Sequence, residues 1–187
     1  NAYHVVNAGE TGLNTILDGF TLTGGNANGI AWNGSGGGLH VANTSATLIN
    51  CIVRNNSAKV GGGISVESGN VTLRNCVLSE NLAEDIGGGL SAYSFGNPGL
   101  VTLVNCQVSG NQSLGSAGGG LYVEETSVRL MNSTVSGNLA QGKGGGLAVL
   151  ASNAVLNNSI VTVNRSISNE GTSDISGTWS GANNFIG

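Results

Sequence analysis

Hydrophobic and polar residues alternate in short runs along this chain, and the runs recur. Val71-Thr72-Leu73 and Val101-Thr102-Leu103 each place two aliphatic side chains on one side of an extended backbone, with a polar residue between them. That is the period of a β-strand. Each run lies between two landmarks, a Gly-Gly-Gly-(Leu/Ile) ahead of it and asparagines behind it. The first glycines of the triplets, Gly36, Gly61, Gly87, Gly118 and Gly144, stand 25, 26, 31 and 26 residues apart.

Internal repeats of this length indicate a solenoid. A leucine-rich repeat would need a helical return segment. Val- and Thr-rich runs bounded by Gly and Asn indicate instead a parallel β-helix, with two or three short strands per coil stacked about 4.8 Å apart. The crossover rule for parallel strands makes it right-handed. The expectation is an all-β fold, one right-handed parallel β-helix domain over residues 1–187, with about seven coils of 25–26 residues. Residues 1–35 are degenerate N-terminal coils, 36–165 the regular coils and 166–187 an irregular C-terminal coil that loosens over Ser166–Ser173. The spacing of 31 contains Ser94–Gly99 with the only proline, Pro98, and reads as a corner insertion. In the first coil Ile16-Leu17-Asp18-Gly19-Phe20 takes the place of Leu-x-Asn-Cys, and Asn26 that of the closing asparagine.

Stacking in register turns the repeat into vertical columns. Four are aliphatic and inward: Ala46, Val71, Val101, Val128 and Ala154; Leu48, Leu73, Leu103, Leu130 and Leu156; Val53, Leu78, Val108, Val135 and Val161; and Leu39, Ile64, Leu90, Leu121 and Leu147. Two are asparagine: Asn50, Asn75, Asn105, Asn132 and Asn158, with Asp18 in line below, and Asn56, Asn81, Asn111, Asn138 and Asn164. Asparagine tolerates left-handed backbone angles at a corner, and its amide bonds to the same amide one coil away. Cys51, Cys76 and Cys106 share one position with Gly19, Ser133 and Ser159 and are expected to be small buried thiols. The triplets are followed by a strand, not by the helix a phosphate loop needs.

Composition narrows the function. The chain has 33 Gly, 1 Pro and 9% charged residues, yet 39% are hydrophobic and regularly spaced, which favours an ordered repeat over disorder. Net charge is −4 with six Lys and Arg, so no basic patch is available for nucleic acid. No apolar run approaches the roughly 20 residues that cross a bilayer, so no membrane insertion is expected in this segment. A Lys-poor chain rich in Ser, Thr, Asn and Gly suggests an extracellular or cell-surface protein. Any export signal or anchor is then expected outside this segment or removed.

Gly-Gly-(Leu/Ile) occurs five times, as does (Val/Leu)-x-x-Asn at Val53–Asn56, Leu78–Asn81, Val108–Asn111, Val135–Asn138 and Val161–Asn164. The pattern resembles the repeats of bacterial polymorphic outer-membrane proteins, autotransporter-like surface proteins with GGA(I/L/V) and FxxN motifs, with Gly for Ala and Val or Leu for Phe. It is also similar to secreted bacterial right-handed β-helix proteins, through Leu17-Asp18-Gly19-Phe20-Thr21 and Asn184-Phe185-Ile186-Gly187. The resemblance implies the fold over nearly the whole chain. It implies little about activity, since such folds serve adhesins, polysaccharide-cleaving enzymes and structural proteins alike.

Two adjacent outward stripes carry the most suggestive chemistry. One is Ala42, Glu67, Tyr93, Glu124 and Leu150; the other is His40, Ser65, Ser91, Tyr122 and Ala148. Glu67 and Glu124 fall two coils, or about 9.6 Å, apart with Tyr93 between them. That is near the upper limit for an inverting glycosidase pair, and aromatics beside acids suit sugar stacking. Glu67, Tyr93, Glu124, Tyr122 and His40 therefore form the candidate glycan-binding face. No oriented general base accompanies them, so no catalytic residue is assigned. Neither a metal-ligand spacing nor a cofactor motif is found. Glu84, Asp85, Lys59 and Lys143 read as solvated turns. The short Thr47, Thr72, Thr102 column is broken by Arg129 and Val155, which argues against ice binding. Open coil ends are expected to be continued by a longer chain, plugged by residues 1–14 or 166–187, or paired head-to-tail with another subunit through Trp179, Phe185 and Ile186. The expected function is a non-enzymatic cell-surface scaffold, adhesin-like or self-assembling. The other class is a carbohydrate-active β-helix, a polysaccharide lyase or glycoside hydrolase.

Overall fold

A computed structural model describes residues 3–9, 14–96, 98–168 and 174–187. The chain winds as a right-handed parallel β-helix. Five regular turns are flanked by an irregular first turn, which supplies a strand to all four sheets, and by a last one that supplies three, so three of the sheets hold seven strands among the described residues and the fourth holds six. The expectation of about seven coils counted those flanking turns. Each complete turn has four strands, more than the two or three expected. In the second regular turn they are Ile64–Glu67 in sheet 1, Asn70–Arg74 in sheet 2, Val77–Ser79 in sheet 3 and Leu82–Ile86 in sheet 4. The fourth strand is the stretch expected to be a solvated turn; Glu84 and Asp85 lie in it, at a bulge between Ala83 and Ile86.

The aliphatic columns stack in register. Leu73 lies between Leu48 and Leu103, Leu78 between Val53 and Val108, and Leu90 between Ile64 and Leu121. All of these are fully buried. At about 1.5–3 kcal/mol for each aliphatic side chain removed from water, the columns are the main stabilising term. The first coil is offset from its expected alignment by one residue. Asp18 pairs with Ile49 and Thr21 with Ile52, so Gly19 occupies the Asn50 position and Phe20 the Cys51 position. Gly19 has φ 75°, matching the left-handed corner that the asparagines hold above it. Likewise Gly25, not Asn26, stands in the closing-asparagine column, because Asn26 pairs with Ser57.

The two asparagine columns differ in kind. Asn50, Asn75, Asn105, Asn132 and Asn158 have φ between 50° and 55° and lie exposed. Their amides form an outer ladder with steps of 3.2–3.3 Å, and Asn50 donates to Asp18 at 3.0 Å. Asn56, Asn81, Asn111, Asn138 and Asn164 are buried. The left-handed angle falls one residue earlier, at Asn55, Glu80, Gly110, Gly137 and Val163. The insertion after Tyr93 lies at the corner between sheets 1 and 2, as expected; Asn97 is outside the described residues. So are residues 169–173 of the stretch expected to loosen, and residues 1, 2 and 10–13 of the expected N-terminal plug.

Candidate functional site

The candidate face is the outer side of sheet 1. Successive strand residues point to opposite sides, so Leu39 and Val41 face the core while His40 and Ala42 face outward. The register is the expected one: Tyr93 pairs with Glu67 below and Glu124 above, and Ser91 with Ser65 and Tyr122. The exposure is not. His40, Ser65, Glu67, Ser91 and Tyr122 are all buried, His40 to 3% exposure.

The cause is the chain just ahead of each glycine triplet, which lies against this face. A methyl group at Gly87 would sit 2.7 Å from Ser91 Cβ, and one at Gly118 would sit 2.7 Å from Tyr122 Cβ. Both glycines also have φ near 66°, which other residues adopt only with strain. Beside them Ala117, Tyr122 and Ala148 form a small apolar cluster with Ile86, separate from the main core. Only Tyr93 and Glu124 of the five candidate residues remain half-exposed.

The polar groups of the face mostly satisfy one another. The Tyr122 hydroxyl donates to Glu124 Oε2 at 2.7 Å. Tyr93 bonds to the Glu67 carboxylate and to Ser35, and its ring meets Phe95 edge-on at 5.5 Å. Burial raises both phenol pKa values, and the neighbouring carboxylates raise them further. His40 stacks on His4 with centroids 5.2 Å apart, while His4 Nδ1 meets Gly36 O at 3.0 Å. Burial lowers His40 to about 4, and the His4 charge adds to this. His40 Nδ1, Ser65 Oγ and Ser91 Oγ are buried without a partner.

A shallow cleft of about 430 Å³ opens beside Tyr122, lined by Ser116, Ala117, Gly142, Lys143, Val149, Leu150 and Ser176. Nothing in the repeat pattern joins Lys143 to Tyr122, 21 residues apart; the segment between the fourth strand and the glycine triplet brings them to one cleft.

A matching family model, the right handed beta helix region, covers residues 6–185. The chain belongs to the right-handed β-helix family. No curated protein and no solved structure matches it significantly. In this β-helix no group of three or more His, Cys, Asp or Glu side chains converges among the described residues. No described helix is long and apolar enough to cross a membrane.

The corner between sheets 2 and 3 carries a further ladder that the sequence reading did not resolve. The Cys51 amide donates to Cys76 Sγ at 3.4 Å, Cys106 N to Ser133 Oγ at 3.1 Å, Ser133 N to Ser159 Oγ at 3.3 Å and Ser159 N to Asn184 Oδ1 at 3.0 Å. The three thiols are free and buried. The signal was a polar or thiol side chain at one fixed repeat position.

Proposed function

We propose that this β-helix is a non-enzymatic scaffold working outside the cell, adhesin-like or as a unit of a larger surface assembly. The observation that carries this reading is the mutual engagement of the face's acids and phenols. Tyr122 holds Glu124 at 2.7 Å and Tyr93 bonds to Glu67, and His40 is buried. A general acid or base needs reach to a substrate proton, and these groups are turned to each other. The Lys-poor, hydroxyl- and amide-rich surface agrees with a role at the cell exterior or in a secreted or outer-membrane-associated protein. Partners on this reading are a glycan or another cell-surface ligand, and a second copy meeting the unpaired strands of the terminal layers.

A carbohydrate-binding or -cleaving role is the second reading, favoured by the cleft beside Tyr122. One experiment separates the two. Reducing-sugar and unsaturated-uronide assays over a polysaccharide panel should show no turnover, while light scattering and electron microscopy should show concentration-dependent assembly. Turnover abolished by Glu124→Gln would replace the scaffold with the enzyme.

A further inference from the structure

Phe95 stands on the outside of the stack with 82% of its surface open. The corner insertion puts it there. In the turn below, Ser68 alone joins Glu67 to Gly69, and in the turn above Glu125 alone joins Glu124 to Thr126. Five residues join Tyr93 to Gly99, which returns to the stack over Gly69. Phe95 is nevertheless held in place. Its backbone amide donates to Ser68 Oγ at 3.3 Å, and its ring meets Tyr93 at 5.5 Å and 77°.

Carboxylates flank this aromatic pair. Glu124 pairs with Tyr93 one layer on. The exposed Glu125 lines a hollow of about 470 Å³ together with Pro98 of the insertion. Glu124 accepts one bond, from the Tyr122 hydroxyl at 2.7 Å, and an ionised carboxylate has room for about four. Donors in the hollow are engaged: Ser152 Oγ donates to Thr126 O, and Asn153 Nδ2 donates to Ser180 Oγ at 3.5 Å. The patch therefore offers an open aromatic ring and hydrogen-bond acceptors. A sugar hydroxyl both donates and accepts, and carboxylates answer only half of that.

We propose that Tyr93, Phe95, Glu124 and Glu125 form a docking site for an arginine side chain of a partner polypeptide. This rests on the scaffold reading above and names the chemistry of the partner. A guanidinium donates five N–H groups and accepts nothing. It stacks on aromatic rings and pairs bidentately with a carboxylate. Phe95 supplies the exposed ring, and Glu124 and Glu125 supply the acceptors. Glu84 and Asp85 in sheet 4 are also exposed, but the ring near them, Tyr122, is buried. They serve as the control for charge without an open ring.

The test is amide shift mapping by NMR on the whole chain at physiological salt, where long-range attraction is screened. The probes are an alternating Gly-Arg peptide, its Gly-Lys counterpart and a β-glucan oligosaccharide. The Gly-Arg peptide should move the amides of residues 93–96 and 124–125, and the Gly-Lys peptide should bind more weakly. Phe95→Ala should weaken binding about 2- to 5-fold, and Glu125→Gln up to about 5-fold. Both variants should keep the wild-type melting temperature, because both side chains are exposed. Glu84→Gln/Asp85→Asn should bind like wild type. Shifts centred on Glu84 and Asp85, binding untouched by Phe95→Ala, tighter binding of the glucan, or self-association through Phe95 would overturn the proposal. Turnover of a polysaccharide by a protein that still binds the Gly-Arg peptide at Phe95 would remove the scaffold reading and leave the arginine site standing.

Discussion

Asn81 and Asn111 are joined twice in the interior of the stack. Asn81 Nδ2 donates to Asn111 Oδ1 at 2.9 Å, and Asn81 N donates to the same oxygen at 3.1 Å. Asn111 repeats both bonds to Asn138 at 2.9 and 3.0 Å, and its amide also reaches Leu78 O at 3.0 Å. The file ends on Asp174, whose Oδ1 accepts from Asn164 at 2.7 Å. One side chain per turn thus satisfies the backbone amide that the corner would otherwise bury unpaired.

Asn111→Ala strands the backbone amide of Asn81, takes one of the bonds of its side chain, whose Nδ2 keeps Val53 O, and leaves a cavity. At about 1–3 kcal/mol per unsatisfied buried group, the loss should reach about 3–5 kcal/mol by denaturant melting. Asn105→Ala, in the exposed ladder, should cost about 1–2 kcal/mol, mostly for the left-handed angle. Asn105→Gly should stay within about 0.5 kcal/mol of wild type, because glycine adopts that angle freely. Equal losses at 105 and 111 would contradict the distinction between the two ladders.

Glycines divide the same way. Gly110 has φ 65°, and a methyl group there would come no closer than 3.8 Å to another residue beyond its chain neighbours, so Gly110→Asn should melt like wild type and Gly110→Ala should cost about 1–2 kcal/mol. A methyl group at Gly119 would collide with the backbone of Leu139 and Gly145. Gly119→Ala should cost more than Gly110→Ala, with loss of circular dichroism at a lower temperature.

In the core, Leu103→Ala should cost about 2–5 kcal/mol, since Leu103 is fully buried between Leu73 and Leu130. Thermal or urea unfolding reads it directly.

His40 gives the fold a pH dependence of definite sign. Its folded value is lowered to about 4 from 6.5, so the unfolded chain binds the proton more readily. Stability from this group is present above about 6.5 and is lost as pH falls from there to about 4. The loss should be about 2–3 kcal/mol at most. His40→Gln should flatten the melting temperature between those pH values; an unchanged slope would remove His40 as its source.

Four inward columns were legible because period 2 within a run and period 25–26 between runs mark their Leu and Val; a fifth, Val41, Val66, Ala92, Val123 and Val149, equally buried on sheet 1, was not read. The one-residue offset at Gly19 was not, since Asp18 mimics an asparagine chemically and still bonds Asn50, while glycine mimics the asparagine's backbone. The cover over sheet 1 was missed because alternation tells inside from outside only when nothing packs on the outside. Its trace was there: Ser65, Ser91 and Ala148 are small where an open face would carry long polar side chains. Tyr122 and His40 consequently lie beneath the cover, and the exposed part of the candidate face shrinks to Tyr93 and Glu124.

The most direct test is a crystal structure of the protein with its side chains resolved. It should place Asn56, Asn81, Asn111, Asn138 and Asn164 in one buried file, about 4.8 Å between neighbours, the amide oxygen of Asn56 taking one bond from the turn before and each of the other four taking two. Asparagines of that file found in solvent, or bonded within their own turn only, would contradict the stacking on which the fold and every site assignment depend.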